Sequence, residues 1–232
     1  QDFDENSELI PLMTTEDEEV IKNESLPESL PILSLRNTVL FPGVVIPITA
    51  GRDKSIKLIN DANKGSKVIG VVAQKDESVE DPNFDDIHKI GTVARILKVL
   101  KMPDGNTTVI IQGKKRFEIT ELVSDSPYIT AKIKNVDEIV PSKDDGEFVA
   151  AIESIKDLSL EIIKQSPNIP SEASFAIKNI ESNSFLINFV SSNMGIPVHE
   201  KQALLEVNDL HQRALKTLKH MNIEFQRLEL KN

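Results

Sequence analysis

The stretch LRNTVLFPGVVIPI, residues 35–48, decides how the first half of this chain is interpreted. It is apolar enough for a buried strand, but Pro42-Gly43 and then Pro47 interrupt it. Because proline cannot donate a hydrogen bond to a strand ladder, it occurs at sheet edges, bulges and strand starts. The stretch therefore predicts a rigid apolar turn that leads into a strand carrying a proline.

The composition of the 232 residues is that of a protein able to bury a core, with 39% hydrophobic side chains, no Trp and one Tyr. The chain has no cysteine, which excludes disulfides, thiolate metal sites and a cysteine nucleophile. No run approaches the roughly 20 apolar residues that span a bilayer. These features predict a cytoplasmic protein with no membrane partner.

The net charge of −10 is concentrated at one end of the chain. Residues 1–29 hold ten acidic groups and one basic group, which leaves 27 acidic and 26 basic groups in residues 30–232. A segment with that charge density and few large apolar residues cannot bury enough surface to offset the cost of ordering. Residues 1–29 are therefore predicted to be a disordered acidic tail.

Residues 30–140 show a β-like pattern rich in Val, Ile and Thr. One helix is predicted over 52–63, and MPDG at 102–105 supplies the turn of a hairpin. Many short strands with a single helix indicate a small curled sheet or pseudo-barrel. The predicted strands are 31–35, 44–49, 67–73, 90–101, 106–112, 115–123 and 128–137.

Residues 141–232 show helical spacing instead. Helices are predicted over 144–165, 171–179, 182–194 and 198–206, followed by a last one that begins after Asn208 or Asp209. The apolar seam of this last helix has no glycine, proline or cap to end it, so we expect a helical bundle whose final helix is truncated. The seam comprises Leu210, Ala214, Leu218, Met221, Phe225 and Leu228.

Sequence motifs for catalysis are missing from the chain. The only Gly-Lys pair, Gly113-Lys114, lacks the earlier glycine and the Ser/Thr of a phosphate-binding loop. The four histidines form no His-x-x-x-His pair, and no G-x-S-x-G occurs. Residues 30–140 carry 16 basic and 14 acidic side chains and few aromatic ones, which argues against a nucleic-acid partner. We therefore expect no catalytic, cofactor or metal residues in this chain.

Several runs of sequence closely resemble the N-terminal domain of bacterial ATP-dependent Lon proteases. The resemblance begins at LPILSLRNTVLFPGVVIPITAGRDKSI (30–56) and continues at VAQKD (72–76), IGTVARILKVLKMPDGNTTVIIQGKKRFEI (90–119) and MGIPVHEKQALLE (194–206). It implies an α+β fold with a β-rich, PUA-like lobe over 30–140 and a helical lobe over 141–232. It also implies an ATPase that uses ATP and magnesium and a Ser–Lys peptidase in the parent protein, neither of which is in this chain.

The function implied by the resemblance is recognition of unfolded or degron-bearing proteins, together with assembly of a homohexamer. A receptor for unfolded segments needs an exposed apolar surface, and two places are candidates. One is the turn with Phe41, Pro42, Val44 and Val45, although Phe41 and Val44 could instead fill the barrel. The other is Met102-Pro103 at the hairpin tip, which could equally be an ordinary turn.

Two alternative functions fit the same fold. The chain could be a stand-alone interaction module, such as the Lon-like domain of the ubiquitin-ligase receptor cereblon, with no protease attached. It could also be an RNA-binding PUA-like module, whose RNA affinity should then fall steeply with salt.

Overall fold

The computed structural model describes residues 13–170 and 172–232, and the contacts divide them into two compact units. The β unit comprises Val20–Val136, and the helical unit comprises Asp137–Asn232 with the described residues up to Glu19. The elements are α1 (Thr15–Asn23), β1 (Ser29–Leu35), β2 (Val45–Ala50), α2 (Asp53–Lys64), β3 (Val68–Ala73), β4 (Ile90–Lys101), β5 (Thr107–Ser124), β6 (Thr130–Asn135), α3 (Gly146–Gln165), α4 (Glu172–Asn179), α5 (Asn183–Asn193), α6 (Val198–Glu206) and α7 (Leu210–Lys231).

The β unit is built on one mixed sheet in the order β2-β5-β4-β3-β1-β6. Among the strands of the described ranges, β1 and β3 alone are parallel, and the long β5 pairs with β6 as well as with β4 and β2. The pairings β5-β4-β3-β1-β6-β5 therefore form a closed circuit, which is what a pseudo-barrel requires. Sheet and helices together confirm the α+β class.

Two apolar clusters fill the β unit, because β1 is buried on both of its faces. Leu33 lies in the first cluster, which includes Leu58 and Ile59 of α2. Ile32 lies in the second cluster, around Phe117. Burial on both faces explains why this part of the sequence is a nearly continuous apolar run rather than an alternating one.

The predicted strands 106–112 and 115–123 are a single strand in the structure, β5. Gly113, which suggested a break between them, pairs with Ala94 next to a register shift between Thr92 and Ala94. A side chain at Gly113 would place its Cβ 2.5 Å from the carbonyl oxygen of Phe41. The glycine therefore serves a close backbone approach and not a turn.

Side-chain caps begin three helices of the helical unit, one of them at Asp209 as predicted. Asp145, Ser182 and Asp209 each accept a hydrogen bond from a backbone N–H in the first turn of α3, α5 and α7 respectively. Such a cap stabilises a helix by about 1 kcal/mol.

The prediction of disorder over 1–29 is wrong for the described residues 13–29, while residues 1–12 lie outside the description. Thr14 and Asp17 cap α1 reciprocally, with Asp17 N donating to Thr14 Oγ1 at 3.0 Å. Met13 and Ile21 are buried, and Glu18 accepts a hydrogen bond from Ser182 Oγ at 2.6 Å. The prediction was wrong because it weighed the charge density of the segment and not these few buried contacts, which offset the entropic cost of ordering it.

Candidate functional site: an exposed apolar face of the sheet

A sharp turn between β4 and β5 positions the candidate segment Met102-Pro103. Met102 N donates to Asn106 O at 2.8 Å, and Gly105 adopts a φ of 90°, a left-handed conformation that favours glycine. Asp104 Oδ1 accepts from Asn106 N at 3.0 Å and holds the loop. The predicted hairpin is confirmed, and it presents Met102 with 42% of its surface exposed.

The register of β2, β5 and β4 places further apolar side chains on one side of the sheet. Pro47 lies opposite Ile110, and Ile110 lies opposite Lys98. Residues directly opposite each other in antiparallel strands point to the same side. Two residues further along the strands, Thr108 lies opposite both Thr49 and Leu100 and forms the next row on this side. The two threonine hydroxyls lie 3.1 Å apart.

A bulge in β4 adds a leucine to this side. The register shifts between Ile96 and Lys98, so Leu97 is an additional residue without its own partner on β5. Ile96 points into the core and is 2% exposed, whereas Leu97 is 44% exposed. The bulge thereby brings Leu97 and Leu100, which is 38% exposed, to the solvent side of one strand.

We call this surface the outer apolar face. Its polar members are Lys98, the threonine pair, and Gln112 with Arg95 in the row of Val45. Its apolar members are partly or largely exposed: Val45, Pro47, Leu97, Leu100, Met102, Pro103 and Ile110.

The structure separates the predicted site residues into two groups. Val45, Met102 and Pro103 belong to the outer apolar face, and Pro42 is partly exposed in the turn before β2. Phe41 and Val44 are 0% and 5% exposed, so their expected contact with a substrate is not supported. They fill the core, as the alternative interpretation held.

The burial of Phe41 has a local cause. Gly43 adopts a φ of 83°, and its N–H donates to Gly113 O at 2.9 Å. Gly113 N donates back to Val44 O at 2.9 Å, while Thr92 Oγ1 donates to Leu40 O at 2.7 Å. These bonds fasten the turn against the sheet and direct its aromatic ring inward.

The sequence analysis missed four members of the face: Pro47, Leu97, Leu100 and Ile110. Pro47 was recognised only as an edge signal, and it does lie on β2, which ends the sheet order. Leu100 was missed because strict alternation from the buried Ile96, without the bulge, directs Lys98 and Leu100 to the core side. The run of apolar residues on either side of Lys98 was the only available signal.

Two ionisable side chains of the helical unit, His211 and Glu18, bind residues that cap helices. His211 Nδ1 lies 2.6 Å from Asp145 Oδ2 and its Nε2 lies 2.7 Å from Glu147 Oε1, and these hydrogen bonds raise the pKa of the imidazole. Burial raises the pKa of Glu18, partly opposed by its bond to Ser182. The same Asp145 and Ser182 cap helices, so their partners reinforce helix starts.

The described residues offer neither a metal cluster nor a helix suited to a membrane. Within 13–170 and 172–232, no group of three or more His, Asp or Glu side chains is placed to hold a metal ion. None of the helices in these ranges combines the length and apolar character needed to cross a bilayer.

Comparison with known proteins identifies the chain. The family model described as the ATP-dependent protease La (LON) substrate-binding domain matches residues 29–223. The Lon protease of Flavobacterium johnsoniae is 71% identical over 232 residues, which cover all of this chain and 28% of that protease. The Lon protease of Cytophaga hutchinsonii is 48% identical over 224 residues, which cover 97% of this chain and 28% of the relative. The chain thus spans little more than a quarter of the length of these relatives.

Two solved structures have the same fold. The N-terminal domain of Mycobacterium avium complex Lon protease superposes with a TM-score of 0.68 at 22% identity, covering 84% of this chain and 98% of that one. The Lon N-terminal domain protein from Xanthomonas campestris gives a TM-score of 0.55 at 17% identity, covering 82% and 97%. With the family model and the two relatives, these matches confirm the resemblance found in the sequence: the chain belongs to the family of Lon protease substrate-binding domains.

Proposed function

We propose that this chain is the substrate-recognition and assembly part of an ATP-dependent Lon-type serine protease, and that its outer apolar face binds unfolded segments of other proteins. One observation carries the proposal: apolar side chains from three strands and a hairpin tip lie together on the exposed side of the sheet. Contiguous exposed apolar surface of this kind marks interaction sites on soluble proteins.

The chemistry of the face suits varied apolar partners. Leu97 and Leu100 supply flexible aliphatic contacts, and Met102 adapts its shape to different side chains. Pro47 removes one backbone donor from the edge strand β2, which disfavours continuous pairing of this edge with another sheet. The face can thus stay exposed without promoting aggregation.

The expected affinity of a single copy is low. Covering about 400 Å² of apolar surface yields about 10 kcal/mol gross at ~25 cal/mol/Å². The loss of motional freedom on association, about 4–15 kcal/mol, offsets much or all of this gain. Several copies acting through a high effective concentration would give useful capture, which is the role of a homohexamer in the proposal.

The relatives favour a protease over a stand-alone module, because they are Lon proteases of which this chain matches 28%. In the proposal, ATP, magnesium and the serine nucleophile belong to the other parts of such a protease, which acts in the cytoplasm on misfolded and degron-bearing proteins. The near balance of charge over 30–140 gives no support to the RNA-binding alternative.

Photocrosslinking tests the proposal. A p-benzoylphenylalanine at position 100 is compared with one at position 175, where Phe175 is 71% exposed on α4 of the helical unit. An unfolded protein should crosslink at position 100 and not at position 175. Equal crosslinking at both positions, or none at position 100, would remove the basis for the proposal.

A further inference from the structure

A cleft of about 670 Å³ opens in the β unit beside the outer apolar face, with which it shares Pro47 and Thr49, and it does not include the hairpin tip. One wall is the end of β1 with the following loop (33–38), and the other is β2 with the start of α2 (46–52 and Ser55). Its volume lies within the range of about 300–1,000 Å³ that is typical of ligand pockets.

The cleft runs along strand edges rather than over one face of the sheet. Successive residues of a strand point to opposite faces, yet all residues from 46 to 50 line the cleft. Among the described strands, β2 pairs with β5 alone, so its other edge is unpaired. This unpaired edge offers backbone carbonyl and amide groups to an extended peptide, except at Pro47, which has no N–H to donate.

The floor of the cleft is apolar. Leu33 and Leu35 are each 3% exposed and belong to the first core cluster, and Ile46 and Ile48 are partly buried against the same cluster. A bound segment that covers these side chains must itself present apolar groups.

The charge of the cleft is positive in a chain whose net charge is −10. Arg36 and Arg52 line it, and its lining includes no acidic side chain. Arg52 Nη1 donates to Glu80 O at 2.7 Å and lies 3.9 Å from Asp81, so its charge is partly compensated. Arg36 is exposed and forms no hydrogen bond or ion pair with the residues that the structure describes.

An unpaired guanidinium beside an apolar floor selects for an anion with an apolar body. Arginine binds a carboxylate through two parallel hydrogen bonds. A single-stranded nucleic acid would instead need aromatic side chains on which its bases could stack, and no aromatic side chain lines the cleft.

We propose that the cleft binds the C-terminal end of an extended apolar polypeptide, with the terminal carboxylate on Arg36 and the peptide backbone along the free edge of β2. This inference rests on the proposed function, because it names one class of segment that the recognition domain would select. The recognition domain would then have two binding surfaces: the outer apolar face and an adjacent site for chain ends.

Fluorescence anisotropy with a pair of peptides tests the inference. An N-terminally labelled apolar heptapeptide (Gly-Ser-Val-Leu-Val-Ala-Leu) is titrated with a free C-terminal carboxylate and, separately, as its C-terminal amide. We expect the acid to bind about fivefold more tightly, as an exposed charge-assisted pair allows. The negative net charge of the protein cannot produce this preference, since it repels the acid.

Three variants locate the preference. Arg36→Gln should abolish the difference between acid and amide, and Asn37→Glu, which adds a negative charge to the lining, should reverse or abolish it. Arg227→Gln, an equal charge change at an exposed position on α7, should leave it intact. Equal binding of both peptides by the unaltered chain, no binding of either, or the same loss in Arg227→Gln would overturn the inference.

The two proposals fail in different ways. If position 100 crosslinks to an unfolded protein while acid and amide bind equally, only the cleft inference is overturned. If the acid preference depends on Arg36 and position 100 does not crosslink, the cleft inference is supported and the role of the outer apolar face is lost.

Discussion

Replacing the two leucines of the bulged strand should weaken binding of unfolded protein without unfolding the chain. Leu97 and Leu100 keep 44% and 38% of their surface exposed. Fully burying a leucine side chain stabilises by about 1.5–3 kcal/mol, so covering the remaining two-fifths adds about 0.6–1.2 kcal/mol for each. The double substitution Leu97→Thr with Leu100→Thr should therefore raise the dissociation constant about 7- to 50-fold.

The assay is anisotropy of a labelled, permanently unfolded protein titrated with the chain. Threonine suits strands, so the thermal unfolding temperature should change little. A matched control is Val149→Thr with Ile223→Thr, since these side chains are 48% and 41% exposed in the helical unit. Unaltered affinity in the leucine double variant, or an equal loss in the control, would refute the assignment of binding to the outer apolar face.

Three further outcomes are expected. A hexameric protease carrying this chain should bind unfolded protein at least tenfold more tightly than the chain alone, and equal affinities in the same titration would contradict the need for several copies. Glu138→Gln should lower the free energy of unfolding by about 1–3 kcal/mol. The reason is that Glu138 Oε2 lies 3.0 Å from the guanidinium of Arg213, which is 1% exposed. A change below about 0.5 kcal/mol in urea unfolding would show that the pair contributes little. His211 has a raised pKa when folded, because Asp145 and Glu147 bind its two ring nitrogens. Its stabilising contribution should be complete below the ordinary pKa of histidine, near 6.5, and be lost as pH rises through the raised value. Unfolding curves from pH 5 to 9 should show this loss and His211→Gln should remove it, so an unchanged pH dependence in the variant would exclude the imidazole as its source.

The features that the sequence predicted correctly are those determined locally. Asp104-Gly105 forms the hairpin turn and Pro47 marks an edge strand, because each depends on the conformational limits of single residues. Asp209 caps the last helix for the same reason. These signals act over a few residues, so a sequence pattern is enough to find them.

The features that it missed depend on contacts between distant segments. Phe41 is buried because the turn that carries it is hydrogen-bonded to Gly113, which lies 72 residues later in the chain. Leu100 faces solvent because β4 bulges against β5, and a sequence pattern does not locate a bulge. Arg213 is buried in the bundle because its guanidinium finds Glu138 and Asn188 as well as Val207 O. The site was therefore only partly predictable: the sequence indicated the hairpin tip and β2, but not the face that joins them.

The most direct measurement is methyl NMR of the chain, labelled at leucine, isoleucine and methionine, during titration with an unfolded protein. We expect the largest shift changes at Leu97, Leu100, Met102 and Ile110, on the outer apolar face. Changes confined to methyl groups of the helical unit, such as those of Ile223 and Leu230, would contradict the account.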